Sequence, residues 1–165
     1  MMKESWTKTL DDFSGCSAKL FQTAGRISPE DLDLAPDDGG WSIRQIIHHL
    51  ADGISIWGIF IRQAQAGRGG EFDLHWYWEV PQDEWAEIWS YTARDIQPSL
   101  KLYQANQEHI LSLVQGIENP ADFQLEINIP EHEASIISIQ EAIESQIRHL
   151  DGHLEDIQSI LNAKE

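Results

Sequence analysis

Seven histidines, at positions 48, 49, 75, 109, 132, 149 and 153, carry most of the chemistry available to this 165-residue chain. His149 and His153 are four residues apart in a stretch with helical periodicity. That spacing stacks two side chains one turn apart on one face, and two imidazoles so placed can share a metal ion. A bare pair of this kind is more often two polar residues at the edge of an apolar stripe, so the facing decides. Both fall on the row Ala142, Gln146, His149, His153, Ile157, Ile160, which borders the apolar face. Their rings should therefore point inward, where a polar group needs a partner, and a shared ion would supply one to each.

The adjacent pair His48 and His49 separates by the same reasoning. His48 lies on a row with Arg44, Asp52, Ser55 and Arg62 and is expected on the solvent face. His49 lies on the row Ile46, His49, Gly53, Ile56, Phe60, and Gly53 leaves free space one turn beyond it. The expected metal ligands are thus His49, His149 and His153. Three neutral imidazoles leave a divalent ion its full charge and at least one open position, the pattern of catalytic zinc sites, whereas structural sites are closed by four protein ligands. Such an ion lowers the pKa of bound water to about 7, or holds a thiol as thiolate. Zinc, nickel and iron all accept imidazole.

Other candidates are weaker. His75 sits in an aromatic loop, His75-Trp76-Tyr77-Trp78, and is read as a packing residue that could reach the site. His132, in Pro130-Glu131-His132-Glu133, is read as part of a solvated turn, and His109 as an edge residue without a partner at ligand spacing. Trp76, Trp78, Trp85 and Trp89 could wall a substrate pocket, but aromatics at such spacing more often anchor core and loops. Cys16 is read as a small core residue. No Ser-His-Asp arrangement, phosphate-binding glycine loop or CxxC motif is found.

Four long helical patterns must position these groups. The first runs from about Lys3 to Gly25, the second from about Ser42 to Ala66, and a third stretch from about Gln82 to Val114 contains Pro98, which predicts a break near Ile96–Pro98. The second carries Ile43, Ile47, Leu50, Ile54, Trp57 and Ile61 in a narrow stripe of bundle type. The last opens at Ser138, with Glu141 three residues later as a capping box, and keeps its apolar face through Leu161. Between them, Phe123, Leu125, Ile127 and Ile129 alternate with polar residues, which predicts a short extended or loop segment within residues 121–137. The expected fold is all-α, a four-helix bundle forming one domain over residues 1–165.

Two motifs carry a family resemblance. Gly39-Gly40-Trp41-Ser42-Ile43-Arg44-Gln45-Ile46-Ile47-His48-His49-Leu50-Ala51-Asp52, followed by His149-Leu150-Asp151-Gly152-His153, resembles the DinB/YfiT-like superfamily, with Pro81-Gln82-Asp83-Glu84-Trp85-Ala86 between them. The resemblance covers most of the chain. It implies a four-helix bundle, often a homodimer, with a divalent metal held by one histidine of the second helix and two of the last. By position these are His49, His149 and His153, the set reached from helical facing. Members of the family are described as metal-dependent hydrolases, as transferases of low-molecular-weight thiols such as bacillithiol, or as mycothiol-dependent isomerases. This chain departs from many relatives at Gly152 and Asp156. Asp156 projects on the same side as His149 and could orient a ligand histidine or become a fourth ligand; Gln146 is a further neighbour of the site.

Composition narrows the partners. The chain has 28 acidic and 11 basic residues, a net charge of −17, which repels phosphate backbones and anionic lipids. A hydrophobic fraction of 41% with seven Trp excludes a wholly disordered chain. One cysteine cannot form an intrachain disulfide, and the N-terminal residues lack an apolar signal core, so a cytoplasmic protein is expected. The leading functional expectation, carried by the resemblance, is a low-molecular-weight-thiol S-transferase acting on small electrophiles, dependent on zinc or nickel, with iron as a further option. The alternatives are a hydrolase using metal-activated water and a non-catalytic bundle dimer with a structural metal or none.

Overall fold

The computed structural model describes residues 2–37, 39–67, 69–129 and 133–164. Among these, seven α-helices and a three-stranded sheet are found. The four expected arms are present: α1 (Met2–Ser14) with α2 (Cys16–Ala24), then α3 (Ile43–Ala66), α6 (Ile96–Val114) and α7 (Ile139–Ala163). The first arm is interrupted at Gly15, a break the periodicity did not reveal. Of the long helices, α3 is the central one, packing on both α6 and α7. The core joins Ile47, Leu50 and Ile54 of α3 to Leu20, Tyr103, Ile110, Ile143 and Leu150, all at most 2% exposed.

Both helices that carry the paired and inward histidines start at a capping box. Ser42 accepts from the Gln45 N–H at 3.3 Å while the Gln45 side chain accepts from the Ser42 N–H at 2.8 Å. Ser138 and Glu141 repeat the arrangement at α7, as the sequence predicted. Each box satisfies two N–H groups that the helix cannot satisfy itself. Before α3, Gly39 adopts φ +85°, a conformation that suits glycine.

The third stretch is two helices rather than one bent helix. The short α5 (Gln82–Ile88) ends near Ser90, at φ 53°, and α6 begins only after Asp95, whose carboxylate accepts from the Gln97 N–H at 3.0 Å. Pro98 therefore lies in the first turn of α6, where its missing N–H costs little. The aromatic loop also has structure: β1 (Glu71–Asp73) precedes α4 (His75–Trp78). β1 pairs in parallel with β2 (Gln124–Asn128), which pairs antiparallel with β3 (Ser135–Ser138). The expected extended segment is thus the centre of a small sheet, with Leu125 and Ile127 facing the core.

Candidate metal centre

Helix α3 brings His49 and α7 brings His149 and His153 to one point near the start of α3. Their rings meet pairwise with centroids 5.0 Å (His49–His149), 5.2 Å (His49–His153) and 4.7 Å (His149–His153) apart. One ring nitrogen from each lies within 4.8 Å of the other two, and His49 Nε2 is 3.0 Å from His149 Nε2. Burial pushes the His49 imidazole down to about 3, helped by the neighbouring His149 and His153 rings. Burial and then His153 push His149 down to about 4. Both rings are therefore neutral at ordinary pH and present lone pairs.

The neighbours set ring orientation. His153 Nδ1 donates to Asp156 Oδ2 at 3.0 Å. A carboxylate can only accept, so Nδ1 carries a proton and, in the neutral ring, Nε2 is left with the lone pair. Asp156 thus orients His153, and it is not in the group of three converging residues. Trp41, just before the cap of α3, packs edge-on against His49 with centroids 4.6 Å apart, and its indole N–H donates to Asp83 Oδ1 at 2.6 Å. Gly53 matters sterically: a Cβ there would stand 3.7 Å from His149 Cε1, so a larger side chain would meet the ring. This donor set fits a divalent ion, since three imidazoles converge, two of them held neutral by burial and the third holding its Nδ1–H against a carboxylate.

Two clefts reach the histidines beside a shallower depression at Arg148, His149, His153 and Asp156. One, of about 390 Å³, is lined by His49 and His149 together with Trp57, Tyr77, Trp78 and Gln82. Gln146, 5% exposed, lines it as well. The other, of about 440 Å³, is bounded by Trp41, Ile46, His153 and Asp156.

His48 is not a surface residue; the expectation of a solvent-facing ring is overturned. It is 0% exposed, with Nδ1 2.8 Å from Ser99 Oγ and Nε2 3.3 Å from the Arg94 carbonyl. Three others of its row are engaged as well: Arg44 pairs with Asp33, Tyr91 donates to Asp52 at 2.6 Å, and Asn106 donates to Ser55, while Arg62 stays exposed. The row packs on α6 and the segment before it because α3 has neighbours on two sides. His75 and His109 are exposed and stand outside the three-histidine group. His132 lies outside the described residues. Of the four tryptophans weighed as pocket walls, Trp78 lines the cleft, while Trp85 and Trp89 stack on each other with centroids 4.6 Å apart. Tyr77 and Gln82 were not anticipated at the cleft. No spacing signals them, because the sheet and α4 fold them over α3 from far along the chain.

The DinB superfamily model matches residues 12–157. The chain belongs to the DinB superfamily. A protein of Oceanobacillus iheyensis named "Putative metal-dependent hydrolase" is 31% identical over 160 residues, covering 97% of this chain and 86% of that protein. YfiT of Bacillus subtilis, which bears the same description, is 40% identical over 50 residues, covering 30% of this chain and 26% of its own. The structure of YfiT, described as a "probable metal-dependent hydrolase with an unusual four-helix bundle topology", superposes with a TM-score of 0.85 at 22% identity, covering 99% of this chain and 90% of that one. At that identity the superposition establishes the DinB four-helix bundle, and nothing further.

Proposed function

We propose that this DinB protein is a divalent-metal-dependent hydrolase of a small molecule. The observation that carries the reading is the convergence of three imidazoles, His49, His149 and His153, at the edge of a cleft of about 390 Å³. The metal-dependent hydrolase descriptions of its relatives point the same way. When bound, a divalent ion would supply Lewis acidity, polarising a carbonyl-type oxygen and bringing the pKa of water at the site to about 7. The chain supplies the rest. His49, His149 and His153 would hold the ion, Asp156 keeps the His153 proton on Nδ1, and the apolar wall of Trp57, Trp78 and Ile137 excludes bulk water around the substrate. Zinc and nickel are the proposed ions, with iron the third choice.

A second reading is transfer of a low-molecular-weight thiol to an electrophile. The second cleft, which meets the cluster at His153, supports it by offering a separate berth for a second reactant. Assembly as a homodimer and residence in the cytoplasm are proposed with both readings, on the family resemblance and on the single cysteine. Protein purified without a metal-affinity tag should contain a divalent ion by elemental analysis. Stripped protein should regain about one equivalent from zinc or nickel salts and then cleave members of a panel of activated esters and amides. Turnover of a reactive halide only in the presence of added thiols would select the second reading. Protein that takes up neither ion would sink both.

A further inference from the structure

Gln82, the first residue of α5, has a side chain that the fold leaves half used. It lines the cleft that His49 and His149 also line. The Tyr77 hydroxyl donates to its Oε1 at 2.8 Å. Its Nε2 is buried without a hydrogen-bond partner, the only side-chain nitrogen or oxygen so found among the described residues. A buried donor left unpaired is costly and calls for a partner, and beside a cleft a ligand can supply one. The rest of the lining narrows what that is. No Asp, Glu, Lys or Arg lines this cleft among the described residues, and Trp57, Tyr77 and Trp78 give it aromatic walls. In the metal-free protein an anionic ligand would leave water there with no side-chain cation in the lining to meet it, in a chain whose net charge is already −17.

We propose that Gln82 Nε2 donates to an acceptor oxygen of the substrate, and that the cleft takes uncharged molecules with an aromatic or otherwise apolar body and one carbonyl-type acceptor. This rests on the reading of the cleft as the substrate site. It does not need the ion, so the two can fail separately.

Acetophenone and α-methylstyrene have the same shape and differ by oxygen against methylene. Their binding is to be compared by ligand-observed NMR titration with the full-length chain stripped of metal, with benzoate as the charged control. Acetophenone should bind about tenfold more tightly than α-methylstyrene, as expected when the weaker ligand leaves a buried donor unpaired, and benzoate should bind least. Gln82→Met removes the donor and keeps the length. Gln82→Glu keeps an oxygen for Tyr77 and loses the donor. In both the preference should fall to near onefold, with thermal midpoints recording that the fold persists. Because the chain is stripped of metal, no oxygen–metal contact contributes to the preference. A preference that survives in both Gln82 variants overturns the role of Gln82. Binding of neither neutral probe, or tighter binding of benzoate, overturns the ligand class.

Discussion

At the scale of single residues, the two neighbours His48 and His49 have opposite fates. His49 turns to the cleft and meets His149 and His153, whereas His48 closes a buried network with Ser99 and the Arg94 carbonyl. Substitution should separate them. His149→Ala should abolish tight zinc binding in a chelator competition while leaving the fold intact. His48→Ala should instead lower unfolding free energy by about 1–3 kcal/mol, the cost of stranding buried hydrogen-bond partners, with zinc uptake per folded molecule unchanged. Asp156→Ala frees the Nδ1 proton of His153 and should weaken metal affinity by about 10–100-fold, the usual effect of removing such an orienting carboxylate. Unaltered affinity in the same competition would mean that Asp156 is a bystander.

At the scale of elements, the site depends on where α3 and α7 begin and on how closely they approach. Both begin at capping boxes whose serines are buried, Ser42 at 7% and Ser138 at 3% exposure. Ser138→Ala should cost about 1 kcal/mol in urea unfolding. Gly53 leaves room for the His149 ring of α7. Gly53→Ala brings only an ordinary contact with His149, so it should be tolerated, but Gly53→Leu must displace the ring or fill the cleft and should reduce metal uptake. The Ser138 and Glu141 box was legible because a cap is a local device, four residues long. The strand β1 was not, because its three residues are paired only with β2, some fifty positions away. The two-helix nature of the third stretch was half legible. Pro98 signals a discontinuity, but the turn it follows is made by Ser90 and Asp95, whose conformations no periodicity displays.

At the scale of the whole molecule, buried neutral histidines couple stability to pH. Burial depresses His48, His49 and His149 in the fold relative to the ordinary value of 6.5. Below that value the unfolded chain binds protons that the folded chain refuses, so stability is full above pH 6.5 and falls as pH drops toward 4. Metal-free protein should show this loss in urea midpoints measured between pH 7 and 4.5, and His48→Gln should flatten the slope. An equally steep slope in the variant would assign the loss to other groups, the many carboxylates first among them. Adding zinc should raise the midpoint most at neutral pH, where protons do not compete for the imidazoles.

Read alone, the sequence determined the four long helical arms, the cap of α7, and the inward facing of His49, His149 and His153. Each of these follows from a periodicity of 3.6 residues and a few contiguous positions. Only the tertiary structure decided that His48 is buried and its neighbours on that face of α3 are paired, that Asp156 serves His153, and that Gln82 and Tyr77 complete the cleft. The reason is that periodicity gives a side chain's direction around its own helix but not what stands there. α3 has packed neighbours on more than one side, so a polar row that would be wet on an outer helix is instead enclosed and satisfied by partners distant in the chain.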